Sequence, residues 1–196
     1  MIPVSPREKE DQRGTLRRLM ARHSAGEKIV ASRCLAERLV LLPEWRRARA
    51  VALYASLPGE PDTNLLFGRA RAEGKRVFYP FSRVGDRSLG FAEVESLESL
   101  RPGALRFREP PPAGGGQKLQ VDLLLVPGLG FDREGMRLGR GRGYYDRTLA
   151  EIGGGVIRAG LFFSWQELPQ VAVEAHDQRM DLVVTEKEAI RFRAAA

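Results

Sequence analysis

The sequence predicts an α/β fold: a single three-layer domain, residues 1–196, with a mostly parallel central sheet and helices on both faces. Three observations carry this reading. The runs Ala50–Ala55 and Val121–Val126 are short and nearly continuously apolar, the pattern of strands buried on both faces of a parallel sheet. The segments around them repeat apolar residues at helical spacing. A strand, a helix and a second strand follow one another between Ala50 and Tyr79, a unit whose physical solution is a parallel pair joined by a crossover.

Each element has a local reason. Residues 6–23 read as a helix with Leu16, Leu19 and Met20 on one side and Arg13, Arg17, Arg18 and Arg22 around the rest. Ser24 and Glu27 form a capping-box pattern that opens a second helix, with Ala31, Leu35, Leu39 and Leu42 at helical spacing up to Pro43. Cys34 reads as a small apolar residue on that helix. After the Ala50–Ala55 strand comes a turn at Pro58-Gly59-Glu60-Pro61, and Asp62 or Thr63 can cap a helix running to Gly74. Lys75–Tyr79 is the next strand, and residues 81–94 turn back around Gly85-Asp86 as an antiparallel excursion. Residues 101–118, rich in proline and glycine, read as a long surface connection. Val121–Val126 is the most apolar strand and is placed centrally; Tyr144–Ile152 is a helix ended by three glycines; Val156–Phe163 and Asp181–Thr185 are further strands.

Composition narrows the class of function. With 196 residues the chain can bury a core without disulfide or metal staples. Its single cysteine excludes an internal disulfide and makes a cytoplasmic setting the default. No apolar run is long enough to span a membrane, and the polar N-terminus lacks the apolar core of a secretory signal. The net charge of +7 comes mostly from arginine, a planar, permanently charged fork suited to phosphates and carboxylates. An anionic partner is therefore expected, either nucleic acid or a small phosphorylated or carboxylated ligand.

The densest chemistry lies between Val126 and Asp146, after the most apolar strand and before a helix, where an open α/β sheet places its ligands. Gly139, Gly141 and Gly143 alternate with Arg140 and Arg142. Glycines let backbone amides approach a phosphate, the helix start adds unpaired amides, and Arg137, Arg140 and Arg142 can add bidentate contacts. Asp146, in the first helical turn, is placed to hold a metal that bridges phosphates. The spacing fits neither the Walker A loop nor the dinucleotide-binding fingerprint. The alternative is an Arg/Gly loop that grips nucleic-acid backbone, but aromatic interleaving is confined to Tyr144 and Tyr145. Glu60 sits in another strand-to-helix loop on the same presumed sheet edge, Phe78, Tyr79, Pro80 and Phe91 can line a flat pocket, and Asp177 precedes the last strand.

These pieces together resemble the 5-formyltetrahydrofolate cyclo-ligase family. The resemblance rests on Arg13-Gly-Thr-Leu-Arg17, Tyr54-Ala-Ser-Leu-Pro-Gly-Glu60-Pro-Asp-Thr63, Gly74-Lys-Arg-Val-Phe-Tyr-Pro80 and Pro127-Gly-Leu-Gly-Phe-Asp132. It continues through Arg137-Leu-Gly-Arg-Gly-Arg-Gly-Tyr-Tyr-Asp146, the most specific run, to His176-Asp177. It implies ATP- and magnesium-dependent conversion of 5-formyltetrahydrofolate to 5,10-methenyltetrahydrofolate, with release of ADP and phosphate. The formyl oxygen is phosphorylated and N10 then attacks. Carried over by position, Arg13, Gly14, Thr15, Leu16 and Arg17 contact ATP, as do Arg137, Leu138, Gly139, Arg140, Gly141, Arg142, Gly143, Tyr144 and Tyr145. Asp146 and Asp177 serve magnesium, and Ala55, Glu60, Tyr79 and Phe91 lie against the folate. A monomer acting on this small molecule, without nucleic-acid or membrane partners, is the expectation. Asp146→Ala is expected to lose activity while staying folded, as a change at an exposed helix start.

Two departures from the family pattern stand out. Arg13 replaces the usual lysine, and Phe107-Arg-Glu-Pro110 replaces the usual Gly-Ile-x-Glu-Pro, which leaves open a relative acting on another ATP-activated amide.

Overall fold

The computed structural model describes residues 6–112 and 119–192. Helices α1 (Pro6–Arg22), α2 (Ala25–Leu41) and α3 (Pro43–Arg47) lead into β1 (Ala50–Ala52), α4 (Asn64–Ala72), β2 (Arg76–Arg83) and β3 (Ser88–Glu93). The short strands β4 (Arg101–Pro102) and β5 (Arg108–Glu109) precede β6 (Leu123–Val126). Then come β7 (Gly130–Phe131), β8 (Arg137–Leu138), α5 (Tyr144–Glu151), β9 (Ile157–Leu161), β10 (Leu182–Val184) and β11 (Ala189–Arg191).

Seven strands make one sheet in the order β11-β10-β9-β6-β1-β2-β3. From β10 to β2 all neighbours run parallel, and β3 and β11 add antiparallel edges. The pleat sorts successive residues onto opposite faces. Val51, Leu53, Leu123 and Leu125 pack with Leu35 and Leu39 of α2, Trp45 of α3 and Leu66 of α4. Ala50, Ala52, Leu124 and Val126 pack in a second cluster with Leu149 of α5. The three-layer arrangement expected from the apolar runs is the one observed, with Leu123–Val126 fully buried as the middle strand.

Helix α1 plays a different part. Its Leu16 packs against Leu129 and Val171, in the loops beyond β6 and ahead of β10, and against Leu138 of β8. The approach is close: a Cβ on Gly130 would lie 2.6 Å from Leu16 Cδ1 and 2.8 Å from the Gln166 carbonyl. The N-terminal helix is thereby held over the segment that carries the glycines.

Several local expectations change. The capping box at Ser24 and Glu27 is present. Pro43 does not simply end α2; it opens α3, where its fixed φ suits a first helical turn. Thr63 occupies the N-cap position of α4, yet its hydroxyl donates to the Tyr54 carbonyl at 2.6 Å, and Asp62 Oδ1 accepts the Asn64 amide instead. Cys34 is exposed, because the buried stripe Ala31, Leu35, Leu39 advances by four residues and leaves it beyond the edge. The connection at 101–118 contains the β4–β5 pair, while its three glycines lie outside the described residues. Hairpin β7–β8 and edge strand β11 were not expected.

Candidate active site

Strand β1 feeds β2 on one side of the sheet, whereas β6 lies on its other side. The chain thus reverses direction between β1 and β6, and a crevice opens beyond their carboxyl ends, where doubly wound sheets bind ligands. A cavity of about 710 Å³ occupies it. One wall comes from the loop after β1, with Tyr54, Ala55, Leu57, Pro58 and Glu60. The facing wall carries Arg137, Gly139, Arg140, Arg142, Gly143, Tyr144, Tyr145 and Asp146. Pro80, Leu89 and the Ala104–Phe107 turn add a margin that is apolar except for Arg106. The glycine loop also borders a smaller cavity of about 430 Å³, lined by Arg87, Arg142, Arg147 and His176.

The loop arginines are held individually. Arg137 is buried: NH2 reaches Asp146 Oδ1 at 2.7 Å, NH1 donates to the Gln178 carbonyl, and Nε has no partner among the described residues. Arg140 donates from Nε to Glu60 Oε1 at 2.9 Å, across the cavity. Arg13, on α1, donates from Nε to the Gly139 carbonyl at 3.0 Å and so ties the N-terminal helix to the loop. Two segments that the family resemblance assigns to one ligand therefore meet.

Glu60 is nearly buried, and Oε2 accepts the Leu57 amide at 2.9 Å. Burial raises its pKa above the usual carboxylate value, and Arg140 opposes that shift. Tyr145 is partly buried, and desolvation pushes its phenol well above the ordinary range.

Asp146 is only partly exposed and is the partner of a buried arginine, so the expectation that its removal leaves the fold untouched needs correcting. Its Oδ1 also accepts the Gln178 amide at 3.3 Å, stitching the start of α5 to the loop that carries Asp177. In that loop, ligand atoms of Glu174, His176 and Asp177 lie within 4.8 Å of one another. The oxygen-rich donors of this loop and Asp146 are of the kind that magnesium takes. Lys9 Nζ already touches both acidic groups of the loop, Glu174 at 3.1 Å and Asp177 at 2.5 Å.

Other expected site residues stand elsewhere. Ala55 lines the cavity, but Tyr79 points to the opposite face of β2 and is buried in the core, so its neighbour Pro80 takes the cavity position. Phe91, paired with Pro80, packs against the second core cluster, and Leu89 lines the cavity instead. Leu16 and Leu138 are core side chains. Arg17 is bound to Glu10, Thr15 accepts from Arg18, and Gly14 lies beside them on α1. Lys9 and Glu174 went unnoticed in the sequence; the signals were Lys9 one helical turn before Arg13, and Glu174 three residues before Asp177. The departing Phe107-Arg-Glu-Pro110 segment puts Phe107 on the cavity, while Glu109 Oε2 accepts the Ser82 amide and hydroxyl and pins the turn to β2.

The family whose sequence profile matches the chain, over residues 5–186, is the 5-formyltetrahydrofolate cyclo-ligase family. The chain belongs to it. Among its relatives, a probable 5-formyltetrahydrofolate cyclo-ligase of Schizosaccharomyces pombe is 33% identical over 175 residues, covering 80% of this chain and 84% of that protein. The 5-formyltetrahydrofolate cyclo-ligase of Mycolicibacterium smegmatis is 32% identical over 194 residues, 95% and 98% of the two chains. The solved structure of Aquifex aeolicus 5,10-methenyltetrahydrofolate synthetase matches with a TM-score of 0.80 at 31% identity, over 96% of this chain and 94% of that one. The chain is thus an enzyme of this ligase family in folate metabolism, as the resemblance implied. No helix among the described residues is long and apolar enough to cross a membrane.

Proposed function

We propose that this enzyme converts 5-formyltetrahydrofolate to 5,10-methenyltetrahydrofolate at the expense of ATP, with magnesium, in the crevice between β1 and β6. The observation that carries this reading is that one cavity faces a partly apolar wall, with Ala55 and Glu60, toward a wall of glycines and arginines. A flat heterocycle and a polyphosphate have complementary surfaces there. The Nε of buried Arg137, without a partner among the described residues, and the open space beside Gly139 both suit a phosphate.

The formyl oxygen attacks the γ-phosphorus, an O–P bond forms, and the β–γ bridging bond breaks with its electron pair leaving on ADP. N10 then attacks the formyl carbon and loses its proton. The C–O bond breaks, phosphate departs, and the N5–C–N10 ring closes. Arg137, Arg140 and Arg142, with the loop amides, neutralise charge on the transferring phosphoryl group, which is most of what such chemistry needs. Arg13 and Arg17 support the phosphate from α1, and Tyr144 and Tyr145 border the same ligand. Asp146 and Asp177 would hold magnesium, which neutralises phosphate charge when bound. Glu60 bonds polar ring atoms of the folate beside Ala55. The single cysteine and the small-molecule crevice support a cytoplasmic, monomeric protein of one domain, without nucleic-acid or membrane partners.

Purified protein supplied with 5-formyltetrahydrofolate, ATP and magnesium should build up the absorbance of the methenyl product. Folded protein that forms none of it at any metal concentration would sink the reading.

A further inference from the structure

Arg140 lies between two glycines on one wall of the cavity, and its guanidinium closes on a carboxylate of the other. Nε and NH2 both reach Glu60 Oε1, at 2.9 and 2.8 Å. The two partners differ in their access to water: the Glu60 side chain is 5% exposed and that of Arg140 43%. Arg140 can therefore trade its partner for solvent or another anion, whereas Glu60, once abandoned, needs a new donor. The loop has room for such a move, since a Cβ on Gly139 would meet nothing within 4 Å. Burial works against ionised Glu60, and Arg140 is the charge that offsets it.

Each member of the pair is also wanted by a different substrate: a phosphate takes a guanidinium, and the N–H groups of a reduced pterin take a carboxylate. The pair must open for either. Once one ligand has opened it, the other no longer meets that cost, and this is positive coupling between two sites. We propose that the Arg140–Glu60 pair links the two substrates, so that a bound polyphosphate draws Arg140 away and presents Glu60 to the folate. Arg140 is then a positioning residue for folate as well as a phosphate contact. The inference rests on the cyclo-ligase reading above.

Equilibrium binding of 5-formyltetrahydrofolate to the full chain, with and without magnesium and a non-hydrolysable ATP analogue, tests it. The analogue should tighten folate binding about tenfold, within the range usual for coupled sites. In Arg140→Ala that enhancement should vanish while the folate still binds. In Glu60→Gln, measured without folate, the analogue should bind more tightly than to the wild type, because Arg140 no longer has a charged competitor. A purely structural ion pair would leave nucleotide binding unchanged or weaker. The inference is overturned if the wild type binds both ligands independently, if Arg140→Ala keeps the enhancement, or if Glu60→Gln does not tighten the analogue. A wild type that binds neither ligand defeats the cyclo-ligase reading itself, and this inference with it.

Discussion

Lys9 Nζ lies 2.5 Å from Asp177 Oδ2, which joins the first helix to the loop ahead of β10 across 168 residues of chain. The same ammonium sits 3.1 Å from Glu174, so a fixed protein cation neutralises both Glu174 and Asp177, the second of which is a proposed magnesium contact. Lys9→Met should weaken the metal-free fold by about 3 kcal/mol, because the loss of one buried partner strands the other. It should also make stability depend more strongly on magnesium, which then has no competitor. Thermal unfolding at rising magnesium would show a larger gain for the variant. An equal or smaller gain would remove Asp177 from the metal site and leave Lys9 as a structural tie.

Asp146 has two duties that two substitutions can separate. It answers the buried guanidinium of Arg137 at 2.7 Å, and it is the proposed metal contact. Asp146→Ala should lose about 3 kcal/mol of stability along with activity, since it leaves Arg137 without its counter-charge. Asp146→Asn keeps an oxygen for the guanidinium and should lose about 1 kcal/mol, the scale of a weakened hydrogen bond. Its activity should still fall about 100-fold, in line with the several kcal/mol that a metal adds to transition-state stabilisation. Denaturant unfolding and turnover, measured on both variants, check this. Near-normal turnover in Asp146→Asn would mean that the carboxylate serves only Arg137.

The fold is legible in the sequence where burial imposes a pattern. Leu123–Val126 reads as a central strand because both faces are covered, and the ligand-binding end follows because the glycine segment leaves the carboxyl end of that strand and leads into a helix. Hairpin β7–β8 escapes detection because its strands are two residues long and its turn is held from a distance. Asp132 Oδ1 accepts the Glu134 and Met136 amides, and Oδ2 accepts the amide of Val171. The site is legible where one segment carries it, as along Arg137–Asp146. It is not where a side chain finds its meaning far away: Glu60 and Arg140 are 80 positions apart, and Lys9 gives no local sign of Asp177. Tyr79 shows a finer limit, since a shift of one residue along β2 exchanges the core for the cavity.

The glycines of the phosphate loop should prove unequal. Gly139 has open space where a Cβ would stand and no left-handed backbone, so Gly139→Ala should leave stability within about 0.5 kcal/mol of the wild type. Gly141 has φ +95°, and its Cβ would come within 3.2 Å of the Arg13 guanidinium. Gly141→Ala should cost at least about 1 kcal/mol in backbone strain and displace Arg13 from the Gly139 carbonyl. Unfolding midpoints and nucleotide-analogue affinity, compared between the variants, read out both effects. Equal behaviour of the two would mean that the loop is held by its arginines rather than by its backbone.

Glu60 also predicts a pH dependence of stability, with a definite sign. Burial raises its carboxyl above the ordinary 4.5 in the folded state, so between that value and its folded pKa the folded chain holds more proton than the unfolded one. Stability from this group is therefore fully present below its unfolded pKa and is lost as pH rises through the folded value. Glu60→Gln removes the titration and keeps the shape. Its stability relative to the wild type should accordingly climb as pH rises above the ordinary carboxylate value, as the wild type takes on a buried charge. The half-exposed Arg140 is left to water in the variant, a small loss beside burial of a carboxylate. Denaturant melts of both proteins across that range decide it. If the wild type gains on the variant as pH rises, attraction to Arg140 outweighs burial, and Glu60 is held by its ion pair rather than strained by its surroundings.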